Sequence, residues 1–365
     1  MITRHFFGIK ATVVDIFFKP NHSKTSAFYA IPVPKKTELL LFEQIRKMTQ
    51  DEVLPEVTVT FNTPNEFTRN ELEVWDCLTR TPNISSLDIR HRFLVDSFRD
   101  SFFGPLNDCE LAKVNRVSKL LSLRIASMPI TGKAFRSITA LKNLRRLELA
   151  YCKCLDTLFE YVAHLDSLDH LVISDSKLRK PRFENLIHLK KLNFLQMNSC
   201  KLKDDAFTSF PPLPSLEWLT LGHNRLTGES LSFISKMKKF KNLTLINNPV
   251  TKEGLEVVAS SGSNNVEDLH FTNTSYPNRR ISDQDVSIFL QMKKLKSLSL
   301  SGCRKITNKI LDILINIRTL RFLHLHETKV TMDALKSIQK KLPYCYFYLS
   351  EGEQLDAIRW SQDND

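Results

Sequence analysis

The stretch Leu216-Glu-Trp-Leu-Thr-Leu-Gly-His-Asn-Arg-Leu226 decides how the rest of the chain is read. Leucine stands at its first, fourth, sixth and eleventh positions, and Asn224 at the ninth. Side chains alternate along a strand, so positions four and six share one face, while three, five and seven share the other. The first face is apolar and the second mixed. A short half-buried strand followed by a turn is the expectation.

Working outward, the same frame opens at Leu120, Leu144, Leu168, Leu192, Leu216 and Phe240, 24 residues apart each time. It continues with small insertions at Val266, Leu295 and Leu320. Two degenerate copies, Leu54–Val59 and Ile84–Ile89, come earlier, and residues 90–119 are expected to form an insertion with a helix of its own. Self-similarity at a period of about 20–29 residues means stacked units that bury one continuous core. Successive strands then lie parallel about 4.8 Å apart, with positions one, four and six pointing into the coil.

On this frame the chain resembles the leucine-rich repeat family from about Leu54 to Leu349. Leu298–Thr307 is similar to the cysteine-containing subclass, and Leu323–Leu335 with Leu342–Cys345 is similar to short bacterial repeats with a Thr-x-Val-Thr turn. The resemblance implies an α/β solenoid with a curved parallel sheet on the concave side, helices and turns on the convex side, and service as an interaction scaffold. The expected organisation is an N-terminal cap at 1–53, degenerate repeats with an insertion at 54–119, regular repeats at 120–349 and a C-terminal tail at 350–365. Within the cap, Ala11–Phe18 reads as a strand, Pro20–Lys36 as loop, and Glu38–Met48 as an amphipathic helix capped by Thr37. Cys345–Leu349 reads as the closing strand, and the tail from Glu351 as a capping helix or disorder.

Position nine reads Met128, Cys152, Ser176, Cys200, Asn224, Asn248, Thr274, Cys303 and Thr328. These are mostly small side chains able to bond the backbone where it leaves the strand, which gives the three cysteines a structural place. No Cys-x-x-Cys pair exists. Helices are expected to start at Thr227, Thr251, Ser282, Thr307 and Thr331, hydroxyl residues suited to an N-terminal cap. Three prolines in Ala206–Pro214 forbid a long helix there, and Gly262 is expected to shorten the one before Val266.

The chain has 365 residues and a formal charge of +12, from 52 Lys and Arg against 40 Asp and Glu. This is compatible with an acidic partner, nucleic acid or an anionic membrane surface, and the basic residues are spread rather than gathered into one run. Seven cysteines without a paired pattern read as reduced thiols. With no apolar run of about 18 residues and no signal-peptide core, a soluble, cytoplasmic monomer is expected, a secreted effector being the other destination weighed.

Enzyme constellations are absent from the sequence: no phosphate-binding glycine loop, no Gly-x-Ser-x-Gly and no His-Glu-x-x-His. His324, His326 and Glu327 could in principle hold a metal, but two histidines on a sheet face are more simply contact residues. No cofactor, no metal and no catalytic residue is expected. Position three of successive copies brings His170, Phe194 and Trp218 onto the concave face, flanked by Gln196, Asn198, Thr220 and His223. Large aromatics on a solvent-facing sheet are costly unless covered, and tryptophan is enriched at binding hot spots. This group is the expected site for a protein partner. Lys142, Lys190, Lys191, Lys238, Lys239, Lys293 and Lys294 form a basic rim, which as a nucleic-acid contact is the alternative; a substrate-recognition subunit of a ubiquitin ligase, or a bacterial effector mimicking one, is another.

Overall fold

The computed structural model describes residues 106–271 and 281–350, together with 14–19, 29–32, 56–61, 75–76, 78–80, 84–91 and 353–355. The chain divides into two compact units, Met1–Lys177 and Leu178–Asp365.

The first unit contains β1 (Val14–Lys19), β2 (Tyr29–Pro32), β3 (Glu56–Phe61), β4 (Ser86–His91), β5 (Ser122–Ala126), β6 (Arg146–Ala150) and β7 (His170–Ser174). From β3 to β7 every neighbouring pair is parallel, and Val57, Leu87, Leu123, Leu147 and Leu171 fall in register. All five are position four of their frames, so the degenerate copies obey the same phase as the regular ones. β1 lies antiparallel between β2 and β3. β2 falls inside the segment read as loop, whose prolines do not prevent a four-residue edge strand; the sheet needs only its outer partner there. The helix expected at Glu38–Met48 lies outside the described residues. The insertion does contain a helix, Asp108–Leu111, capped by the Asn107 side chain, which accepts from the Cys109 and Glu110 amides.

The second unit contains β8 (Phe194–Asn198), β9 (Trp218–Thr220), β10 (Asn242–Thr244), β11 (Asp268–His270), β12 (Ser297–Ser299), β13 (Phe322–His324), β14 (Tyr346–Ser350) and β15 (Glu353–Leu355). β8 to β14 are parallel neighbour to neighbour. β15 turns back antiparallel on β14, so the tail begins with a strand where a helix or disorder was expected. Its pairing covers an edge that would otherwise expose a row of backbone donors and acceptors.

Core positions behave as the frame requires: Leu216, Leu219, Leu221 and Leu226 are all fully buried. Behind the strands most of the chain forms short 3₁₀ segments, among them Gly132–Ala140, Phe183–His188, Asp204–Phe207 and Leu231–Lys236. A 3₁₀ turn rises about 2.0 Å per residue against about 1.5 Å in an α-helix, so it spans the return path with fewer residues. Copy length does not fix the choice: the 26-residue copy from Phe240 carries the α-helix Lys252–Gly262, the 24-residue copy from Leu144 the short α-helix Leu158–Val162, and the 29-residue copy from Val266 the 3₁₀ segment Asp283–Gln291. The Lys252–Gly262 helix is longer than expected: Gly262 ends it rather than cutting it short. A Cβ at Gly262 would lie 2.7 Å from a Val266 methyl carbon, so the glycine is where the helix end packs against the next strand entry.

The hydroxyl caps are largely in place. Thr251 accepts from the Gly254 amide at 3.0 Å, Thr307 from Lys309 at 3.3 Å and Thr331 from Ala334 at 3.4 Å, while Ser282 forms a reciprocal capping box with Asp285. The segment after Thr227 differs, since its helical turn starts only at Leu231. Phe183, Phe207, Phe210 and Phe233 cluster behind the second unit's strands, with the Phe210 and Phe233 ring centroids 4.4 Å apart.

Position nine holds each coil to the next. Asn224 accepts from the amides of Cys200 at 3.0 Å and Leu202 at 3.1 Å, and donates to the carbonyls of Met197, Leu221 and Gly222. Asn248 repeats the pattern toward Leu221, Leu245 and Leu226. Ser176 does the same on a smaller scale, accepting from the Cys152 amide and donating to Ser174. Burial pushes the Cys152 thiol up to about 12, which makes it a poor nucleophile and fits a structural role.

Position eight carries a regularity of its own. Ser127, Tyr151, Asp175, Ser199, His223, Asn247, Gly302 and Glu327 all have positive φ, between 50° and 75°. The left-handed conformation costs a non-glycine residue about 1–2 kcal/mol. It is offset by a bond from the position-eight amide to the position-seven carbonyl of the following copy: Ser127 to Ala150 (2.9 Å), Ser199 to Gly222 (3.0 Å), His223 to Ile246 (2.7 Å). This turn ends the strand and sends the chain behind the sheet.

Candidate partner surface

The open face of the second unit is built by positions three and five of β8 to β14. Phe194 pairs in register with Trp218, and Gln196 with Thr220, so these four side chains lie on two adjacent strands. Trp218 opens β9 and keeps 48% of its surface exposed, although its neighbour Leu219 is fully buried. Asn198 is a poorer candidate than its position suggests, because its Oδ1 accepts the Gly222 amide at 2.7 Å and so locks the strand exit. His223 stands on the left-handed turn leaving β9, exposed and 3.4 Å from the Asn247 amide nitrogen. His170 belongs to the first unit, on β7, where its Nδ1 bonds the Asp169 carboxylate at 2.6 Å.

Beyond this group the face continues with residues that were not singled out from sequence. Asn242 on β10 is only 7% exposed, and its Oδ1 meets no donor. Asp268 on β11 is held above the usual carboxylate range by burial. Farther on, Phe322 stacks on Tyr346 (5.5 Å) and His324 on Tyr348 (4.5 Å). The two tyrosines were missed because the frame was not carried into Cys345–Leu349; continuing it by one copy puts Tyr346 at position three and Tyr348 at position five. Burial lowers the His270 and His324 pKa values below the usual imidazole range, so both are neutral near pH 7.

Of the basic rim, Lys190, Lys191, Lys238, Lys239, Lys293 and Lys294 are exposed in the second unit, and Lys142 is exposed in the first, where it donates to the His164 carbonyl. Position two interposes acids: Glu217 pairs with Lys241 at 2.9 Å and Glu267 with Lys296 at 2.7 Å. The rim is therefore of mixed sign. Among the described residues no group of three or more histidine, cysteine or acidic side chains could hold a metal ion.

Residues 215–237, which contain the opening stretch, match the family described as Leucine Rich Repeat. The fold is that of a leucine-rich repeat solenoid. No curated protein matches it in sequence. Among solved structures, the chain is similar to an internalin (inlF) from Listeria monocytogenes, at 18% identity and a TM-score of 0.53, over 85% of this chain and 88% of that one. It is also similar to a chain of the mouse RP105/MD-1 complex, at 16% identity and a TM-score of 0.52, over 74% of this chain and 44% of that one. At such identities the likeness is one of fold: a leucine-rich repeat solenoid, an architecture that generally serves in protein–protein interaction. Among the described residues no helix is long and apolar enough to cross a membrane.

Proposed function

We propose that the protein is a non-catalytic recognition module that takes a protein partner on the open face of its second unit. The observation that carries this reading is Trp218, an indole at the start of β9 left 48% exposed between Phe194 and Asn242 on the adjacent strands. An exposed ring of this size on a packed sheet is unfavourable in water and is the kind of residue on which interface energy concentrates. Phe194, Gln196, Thr220 and His223 complete the surface on the same side of the unit, with Asn198 at its margin. That one structural relative was solved in a complex with a second protein is consistent with it. The mixed-sign rim favours solubility over a nucleic-acid track, since Glu217 and Glu267 each engage a lysine there.

In this reading the protein works as a monomer in the cytoplasm. Its buried cysteines support a reducing compartment: Cys152, Cys200 and Cys303 fill buried coil positions. The test compares partners recovered by the wild type and by a Phe194→Ala/Trp218→Ala double variant. Loss of partners at a temperature where both proteins remain folded is expected; equal recovery would place binding elsewhere.

A further inference from the structure

Resting on that reading of the surface, we propose that Trp218, Asn242 and Asp268 form a receptor for one basic side chain of the partner, an arginine or lysine. The three occupy position three of β9, β10 and β11, with Asn242 in register with Trp218 on one side and with Asp268 on the other. Strand spacing puts the Trp218 and Asp268 backbones about 10 Å apart. That gap suits a guanidinium or ammonium group stacked on the indole at one wall and bonded to a carboxylate at the other. Asn242, short and buried, is the floor between them.

Each wall lacks what a cation would bring. The Asn242 Oδ1 is buried and has no donor, a condition buried polar atoms rarely tolerate. Among the described residues no side-chain or backbone donor reaches the Asp268 carboxylate. The nearest lysine, Lys296, is taken by Glu267 at 2.7 Å. His270, two residues along the same strand, bonds Ser297 at 3.4 Å and supplies no charge near neutral pH. Apart from histidines, Asp268 is the one formally charged side chain at positions three and five from β8 to β14. The face is therefore locally acidic on a chain whose total charge is +12.

Two acceptors without donors could take a neutral hydroxyl or amide. The charge of Asp268 and the exposed indole decide for a cation. A cation within about 6 Å of an indole centroid is attracted by the ring face, and the effect grows as water is excluded. A planar guanidinium can stack on that face while its several N–H groups reach both oxygens.

The chain has three tryptophans, so fluorotryptophan labelling of the full-length protein gives few signals to assign. The Trp218 signal is identified by its loss in Trp218→Phe. Titration with N-acetyl-arginine amide is expected to shift that signal saturably, and its neutral isostere N-acetyl-citrulline amide to bind at least ~10-fold more weakly. Asp268→Asn, isosteric with the native residue, is expected to cost the arginine probe a similar ~10-fold, and Asn242→Leu a smaller factor. Equal response to the two probes, no saturable shift at Trp218, or unchanged affinity in Asp268→Asn would overturn the receptor. Partner recovery separates the two levels of the argument. If Asp268→Asn keeps the partner while Phe194→Ala/Trp218→Ala loses it, the surface stands and the receptor falls. If both keep it, the surface reading fails as well.

Discussion

On the first unit, the face positions of β4 to β6 hold Asp88, Arg90, Arg124, Arg146 and Glu148, and they answer one another. Arg90 pairs with Asp88; Glu148 accepts from Arg146 and lies 3.6 Å from Arg124. On the second unit the equivalent positions hold Phe194, Trp218, Asn242, Asp268, Phe322 and Tyr346. Here the indole is exposed, a buried amide oxygen is unpartnered, and the lone carboxylate accepts no hydrogen bond among the described residues. Both faces stand on the same coil of buried leucines, so folding does not dictate the difference. A face that neutralises itself loses nothing by staying wet. A face that leaves an acceptor and an aromatic ring unanswered lowers the stability of the free protein, and such departures from local consistency are where function is expected.

The largest predicted effect separates the coil from the face it displays. Leu219→Ala removes a fully buried side chain and is expected to cost about 2–5 kcal/mol in denaturant unfolding. Trp218→Ala, one residue earlier but half exposed, is expected to cost well under half as much. Equal losses would make Trp218 a core residue and erase the contrast between the units.

A smaller pair of substitutions should have opposite signs. Glu148→Gln on the first unit breaks a shared, partly exposed ion-pair cluster and is expected to destabilise by about 0.2–1 kcal/mol. Asp268→Asn on the second is expected to raise the melting temperature near pH 7. The sign follows from linkage: burial raises the folded-state pKa of Asp268 above its usual 3.8, so ionisation disfavours the folded form. That penalty is absent below the unfolded-state pKa, develops as pH climbs through the raised folded value, and is constant above it. The advantage of Asp268→Asn should therefore close as the pH falls below about 4. A destabilised Asp268→Asn at neutral pH would mean that the carboxylate is already satisfied within the unit.

Strand positions and their phase were legible because one repeated frame fixes both, down to the register of Val57 and Leu87 in the degenerate copies. The left-handed turn at position eight was not, since Ser127, Tyr151, His223 and Glu327 share no side-chain chemistry; the constraint lies in the backbone bond to the following copy. The choice between α and 3₁₀ structure was hidden for a related reason. Apolar spacing is nearly the same for both over one or two turns, and copy length does not separate them either, since the 24-residue copy from Leu144 holds the α-helix Leu158–Val162 and the 29-residue copy from Val266 the 3₁₀ segment Asp283–Gln291. Of the candidate site, Phe194, Trp218, Gln196 and Thr220 followed directly from alternation. Asn242 did not, because an unpartnered oxygen is recognised only by accounting for every neighbouring donor. Nor does alternation show that the Asn198 oxygen is engaged by the Gly222 amide.

The claim that the second unit's face is the partner surface is tested most directly by site-specific photocrosslinking in the native cell. A photoreactive residue replaces Thr220 on β9 in one variant and Arg124 on β5 in another. The Thr220 probe should yield a discrete crosslinked protein that disappears when Trp218→Ala is added, and the Arg124 probe should yield none. Crosslinks from Arg124 alone, or a Thr220 product indifferent to Trp218→Ala, would contradict the account.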